Sequence, residues 1–243
     1  VTGAGKGIGK AIALRFALEG AVVVVNDIEQ GMADGTALRI LQGGGKALAI
    51  EADVRDRKQI IEMFRQVRER YERIDILINN AGVRKDVRSY LMTDKQWDST
   101  IDIDLKGCMN CTQAALKFML KQNYGKIVNI SSSLPPAFGY KGTASYSAAN
   151  SGLYGLTQSL AVELGPYNIN VNCIAPEFID TDMTRSIARG EGLYLDDLKK
   201  FAVAAIPLRR LGKSAEVASL ALFLVSDEAA FIIGQVIRIK GGP

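Results

Sequence analysis

The chain of 243 residues contains no histidine. Mechanisms that rest on an imidazole, Ser-His-Asp triads and histidine-ligated metal centres among them, are therefore excluded. Cysteine is scarce: the three residues are an odd count in a chain long enough to bury a core without staples, which implies free thiols and a reducing compartment, the cytoplasm. Cys108 and Cys111 form a C-x-x-C pair, but they fall inside a long helical pattern, and Cys173 falls on an expected strand. A zinc site would be short of ligands, so the three read as buried small apolar side chains and no metal is expected. No apolar run approaches the ~20 residues of a membrane span and no signal-peptide pattern opens the chain, so a soluble protein is expected. Charge of one sign is not concentrated anywhere: 30 Lys plus Arg stand against 26 Asp plus Glu, and the surplus of +4 is spread out, leaving no nucleic-acid footprint. With no repeat, low-complexity block or Pro-rich linker, residues 1–243 read as a single dinucleotide-binding and catalytic domain.

What is present is alternation. Ala21–Val25, Ala47–Ile50, Asp75–Ile78, Lys126–Ile130, Ile169–Ile174 and Gln235–Ile239 read as strands. Between them, Lys6–Glu19, Gly31–Gln42, Arg57–Tyr71, Thr100–Gln122, Tyr146–Leu164 and Ser214–Val225 carry helical periodicity, with Gly20 and Gly43 as stop signals. Such alternation predicts an α/β fold of the Rossmann type, a doubly wound parallel sheet with helices on both faces. Ligands then sit at the carboxyl ends of the strands. Pro176–Pro207, the least regular stretch, reads as a lid over that site. The strand that should feed the first loop is represented by Val1 alone, so several further residues are expected upstream.

The first loop is Thr2-Gly3-Ala4-Gly5-Lys6-Gly7-Ile8-Gly9. Its glycines permit a tight turn and bring a pyrophosphate close to the following helix N-terminus. A helix, a strand and an acidic residue, Asp27, follow about twenty residues on, the context that a dinucleotide loop requires. A carboxylate there accepts hydrogen bonds from ribose hydroxyls and repels a 2′-phosphate, which points to NAD over NADP. Lys6 is the contrary signal, since a cation in the loop suits a 2′-phosphate.

These features, with Asn79-Asn80-Ala81-Gly82 after the third of these strands, Asp53-Val54, Ser131-Ser132, Tyr146, Ile169-Asn170-Val171-Asn172, Pro176, Thr181 and Gly241-Gly242, make the chain resemble the short-chain dehydrogenase/reductase family along essentially its whole length. Within the family it is similar alike to β-ketoacyl carrier-protein reductases and to sugar or steroid dehydrogenases. The resemblance implies that Gly3, Gly7, Ile8 and Gly9 hold the diphosphate, Asp53 and Val54 the adenine, and Asn80, Ala81 and Gly82 the adenosine side. It implies that Pro176, Ile179 and Thr181 meet the nicotinamide end. It also implies a small alcohol or carbonyl substrate and a homotetramer or dimer, in which Thr100–Gln122 and Tyr146–Leu164 pair across an interface. The apolar run Leu153, Leu156, Leu160 and Val162 suits such a surface and a core face equally.

By the same resemblance Tyr146 exchanges a proton with the substrate oxygen while Ser132 anchors it, with Ser133 as the alternative and Leu134-Pro135-Pro136 absorbing an extra residue. Two positions depart from the family pattern. The lysine usual one helical turn after the tyrosine is here Asn150, which reaches a ribose hydroxyl but carries no charge. The usual asparagine of the preceding helix is Asp104, whose carboxylate would disfavour a phenolate. Glu177 stands where glycine is usual, either near the nicotinamide or in solvent. Lys141 and Lys106 are the cations available as replacements, though neither has the one-turn spacing. Arg84, Lys85 and Arg88 lie near the expected mouth and would steer an anionic substrate, or form a solvated loop. Two functions follow: an NAD(P)-dependent oxidoreductase interconverting a secondary alcohol and a ketone, slowed by Asn150, or an NAD-binding sensor or scaffold with little turnover.

Overall fold

A computed structural model of the chain describes residues 1–133, 141–185, 203–204 and 206–242. Six parallel strands carry the fold: β1 (Val22–Asp27), β2 (Lys46–Glu51), β3 (Ile76–Asn79), β4 (Gly125–Ile130), β5 (Ile169–Pro176) and β6 (Val236–Ile239). β1 pairs with β2, and β3, β4, β5 and β6 pair in that order. The two ladders meet at the first residues, where Thr2 N–H donates to the Ile78 carbonyl and Val1 accepts from Asn26 N–H. An apolar hollow of about 380 Å³ lies between β1 and β3, walled by Phe16, Val24, Phe64 and Val67 among others.

Neighbouring strand residues point to opposite faces, so each face has its own core. Val25, Ile78, Val128 and Ile174 pack with Ile12 and Phe16 of α1 (Gly7–Leu18), Ala37 and Ile40 of α2 (Gln30–Gln42), and Val217 and Leu224 of the last long helix. Leu77, Ile127 and Val171 pack on the other side with Ile60 and Phe64 of α3 (Arg57–Tyr71), among others. This is the doubly wound arrangement that the sequence predicts. β5 is buried at every position although it contains Asn170 and Asn172. Their amides are satisfied by the Ala230 and Ile232 carbonyls, as buried polar groups must be, and so hold the chain that leads into β6.

Most elements lie within two residues of their expected ends, and α3 matches at both because Asp56 accepts from Lys58 and Gln59 N–H as its cap. The expected helix Thr100–Gln122 is corrected. A capping box of Thr93 and Gln96 starts α4 (Asp94–Thr100), a π-helical turn spans Ile101–Lys106, and α5 (Gly107–Gln122) follows. A wider turn does not alter the apolar pattern enough to be visible in sequence. On α6 (Ala144–Leu164) Leu153 and Leu160 face the core and Leu156 packs against it, so only Val162, 82% exposed, remains of the apolar run offered for an interface. The last long helix is α7 (Ser214–Val225). Cys108, Cys111 and Cys173 are buried free thiols, as expected of small apolar side chains. Among the described residues no helix is long and apolar enough to cross a membrane. Residues 134–136, and 186–202 and 205 of the expected lid, lie outside the described residues.

The first turn of α1 packs against the loop after β3 with no room to spare. A Cβ on Gly9 would stand 2.4 Å from both Asn80 Nδ2 and the Gly3 carbonyl oxygen. Gly9→Ala is expected to cost about 1–3 kcal/mol of unfolding free energy through forced displacement, read as a lower denaturant midpoint at unchanged m-value.

Candidate functional site

A cavity of about 320 Å³ opens where β1, β2, β3 and β4 end. Of the residues expected in a site, Gly3, Lys6, Gly7, Ile8, Asp27, Asp53, Val54, Asn80, Ala81, Gly82, Asp104, Tyr146, Asn150 and Thr181 line it. Gly9, Ser132, Pro176 and Ile179 are buried and are not part of that lining; Ile179 bridges to Gly212. Sequence reasoning missed Val83, Asp182 and Met183, which carry no motif and reach the cavity only through folding.

The glycine turn explains itself locally. Gly3 and Gly7 both adopt φ +58, which suits glycine and few others, and a Cβ on Gly3 would sit 2.9 Å from Ala81 Cα. At Gly7 a Cβ would meet nothing closer than the Thr181 side chain at 3.9 Å, so the backbone there faces open cavity. Lys6 precedes α1 without a side-chain cap, which leaves first-turn N–H groups available to an anion. Asp27 accepts from Gly5 N–H at 2.9 Å and Glu29 N–H at 3.3 Å, fixing its carboxylate at the rim. The Arg55 guanidinium hydrogen-bonded to Asp53 holds that carboxyl below its usual value. Asp53 is not the cap of α3, a role that Asp56 takes. Donors at the turn, a carboxylate at the ribose end and a hollow between them fit an adenine dinucleotide.

At the other end Tyr146 and Asn150 lie one turn apart on α6. Ser132 lies beside the Tyr146 phenol and favours its ionised form, and Tyr154, two turns on, donates to the Ser132 carbonyl at 2.7 Å. Ser133 is turned elsewhere, donating to Glu177 Oε2 at 3.2 Å, which also gives Glu177 a partner instead of open solvent. The Asn150 amide donates to the Tyr146 carbonyl at 3.0 Å and, at 3.5 Å, to Asp104 Oδ2, while Ser131 donates to the Asn150 carbonyl. The π-helical turn presents Asp104, which accepts from Val83 N–H at 2.8 Å.

Of the cations named from the sequence, Arg84 is the one that reaches the chemical end. Lys106 pairs with Asp102 at the surface and Lys141 is exposed, so neither replaces a charge at Asn150. Lys85 and Arg88 are exposed, but Arg84 turns inward over the Tyr146 ring, 5.5 Å from its centroid. Burial is the main influence on the Tyr146 phenol and pushes it above its ordinary value; Ser132 and Arg84 pull it down, Asp104 and Asp86 push it up.

A family model described as enoyl-(acyl carrier protein) reductase matches residues 3–243. The chain is 41% identical over 242 residues to the 3-oxoacyl-[acyl-carrier-protein] reductase of Thermotoga maritima, covering all of this chain and 95% of that one. It is 40% identical over 244 residues to the corresponding reductase of Synechocystis, with all of this chain and 94% of the relative aligned. Its fold superposes on levodione reductase with a TM-score of 0.94 at 32% identity, over 99% of this chain and 94% of the other.

The buried Asp104 carboxyl is pushed by desolvation from an ordinary 3.8 to about 7, against the pull of Val83 N–H and Asn150. The folded chain therefore holds this proton more tightly than the unfolded chain does, and the group lowers stability as pH rises from about 4 to about 7, with no further change beyond. Asp104→Asn keeps the acceptor for Val83 and removes the ionisation. We expect it to raise the unfolding free energy at pH 8 by up to a few kcal/mol, a gain that shrinks to nothing near pH 4 in denaturant titrations; an equal gain at both pH values contradicts the assignment.

Proposed function

The chain belongs to the short-chain dehydrogenase/reductase family, and on that premise we propose that this oxidoreductase reduces the ketone of a 3-oxoacyl thioester to the secondary alcohol, with NADH preferred over NADPH. The observation that carries the reading is the placing of Ser132 beside Tyr146, whose side chain lines a cavity with the glycine turn and Asp27 at its far end. Two neighbouring hydroxyls can offer a substrate oxygen one anchor and one proton donor. The substrate class is supported by the whole-length likeness to 3-oxoacyl-[acyl-carrier-protein] reductases.

Gly3, Lys6, Gly7 and Ile8 would hold the diphosphate against the α1 N-terminus, and Asp27 the adenosine ribose hydroxyls. When bound, the reduced nicotinamide supplies a hydride to the carbonyl carbon. Ser132 holds the carbonyl oxygen by donating a hydrogen bond, and the Tyr146 O–H gives that oxygen its proton as the C=O π bond breaks. The sum is ketone plus reduced cofactor plus one proton, giving alcohol plus oxidised cofactor; Tyr146 regains its proton from solvent. Asn150, with its amide on the Tyr146 carbonyl and Asp104, keeps the start of α6 in register with the π-helical turn.

The reading is tested by following NADH oxidation with an acetoacetyl thioester. Tyr146→Phe is expected to lower kcat by about a hundredfold or more while leaving the NADH Kd unchanged. Binding of NADH without turnover on this thioester or on a panel of ketones would instead favour a cofactor-binding sensor or scaffold. The cofactor preference has its own test, in which Asp27→Asn narrows the NADPH-to-NADH ratio of Kd values by at least about tenfold, or 1.4 kcal/mol. Equal affinity for the two cofactors in the parent protein removes the NADH preference.

A further inference from the structure

Arg84 follows β3 by five residues, on a loop whose course is fixed at both ends. Val83 N–H is held by Asp104, and Val87 N–H donates to the Gly142 carbonyl at 2.9 Å, immediately before α6. Gly142 has φ +87, and a Cβ there would lie 3.2 Å from Val87 N, so the loop before Tyr146 and the loop carrying Arg84 are in backbone contact. Between those two anchors Asp86 grips the guanidinium through Nε at 2.9 Å and Nη2 at 2.7 Å, a two-point grip that sets the plane of the fork. The Arg84 side chain is 10% exposed, and its charge stands over the Tyr146 ring.

We propose that Arg84 is a positioning residue for proton transfer: acting through Tyr146, its guanidinium supplies the positive charge that lets the phenol give up and regain its proton, a charge that Asn150 does not provide. The proposal rests on the reading of Tyr146 as the proton donor. Among the described residues three charged groups face this phenol: Arg84 and Asp86 from the loop after β3, and Asp104 from the π-helical turn. Asn150 and Ser132, the other neighbours, are neutral. Of these described groups, removing Arg84 leaves the phenol facing the two carboxyl groups, in a partly desolvated site where charges are felt strongly. A guanidinium stays charged at every working pH, and it tolerates burial against an aromatic face better than an ammonium does. Asp86 orients it and offsets part of its charge, which makes the pair a weaker cation than a lone lysine.

The experiment compares the parent protein with Arg84→Gln and Arg84→Lys, using Tyr146→Phe as the spectroscopic blank. The Tyr146 signal is the tyrosinate absorbance of each protein minus that of the same protein carrying Tyr146→Phe. Arg84→Gln is expected to move that signal to higher pH and to lower kcat with the thioester about tenfold at pH 7, with little change in NADH KM. Arg84→Lys is expected to fall between parent and Arg84→Gln, and Asn150→Lys added to Arg84→Gln to bring the signal back down. The proposal is overturned if the Tyr146 titration coincides in the parent, Arg84→Gln and Arg84→Lys, all with native circular dichroism. Because the titration needs no turnover, a shift seen in a protein that reduces no ketone supports the Arg84 assignment while the proposed activity fails.

Discussion

The Thr2 hydroxyl accepts the backbone N–H groups of both Asn80 and Ala81, at 2.9 and 3.0 Å, while Asn80 Nδ2 donates back to the carbonyls of Thr2 and Gly3. This reciprocal knot ties the first turn to the end of β3, across the line where the two strand ladders meet. Much of the site depends on it. The glycines at 3 and 9 are required because the two loops approach within backbone contact there, and the N-terminus of α1 is aimed into the cavity by the same approach. The loop that leaves the knot, through Gly82 and Val83 to Arg84, then reaches Asp104 and Tyr146. One set of hydrogen bonds thus relates the glycine-turn end of the cavity to the end that holds Tyr146.

The chemical end is a problem in electrostatics that the chain solves with an unusual set of residues. The Tyr146 phenol, proposed to part with a proton, sits in a partly desolvated site, and desolvation opposes the change. Asp104 adds to that opposition when ionised, but burial holds its carboxyl protonated up to about pH 7, which reduces the repulsion over the acidic half of the range. Asn150, by spending its amide on the Tyr146 carbonyl and the Asp104 carboxyl, serves as a neutral link between α6 and the π-helical turn. Among the described residues the positive charge that faces the phenol comes from a different element, the loop after β3.

Much of the fold was legible in the sequence because it depends on local periodicity. The branched runs that became β1 to β6, the exact span of α3 and α7, and the glycine turn all follow from alternation, capping and backbone freedom. The π-helical turn was not legible, since Ile101–Lys106 keeps an apolar pattern that a single long helix would show as well. The same holds for the site. Tyr146, Asp27 and the Asn79–Gly82 turn announce themselves through motif and position at strand ends, and they line one cavity or its immediate wall. The choice between Ser132 and Ser133 did not, because adjacent residues after a strand point in opposite directions and only the partners, Tyr146 for one and Glu177 for the other, distinguish them. Nor did sequence spacing suggest that Arg84 would lie over Tyr146, 62 positions away.

Sequence alone determined the class of fold, the strand ends at which the cavity opens and the glycine turn that borders it, since each follows from interactions among residues close along the chain. Tertiary structure decided which serine meets the tyrosine, that Glu177 has a protein partner, that Asp104 is buried enough to hold its proton near neutrality, and that Arg84 rather than Lys106 or Lys141 is the cation at the phenol. Those outcomes depend on desolvation and on distances between separate elements. Neither is encoded in any short window of sequence, because both arise only when the loops after β3 and β4 and the start of α6 are brought together around one cavity.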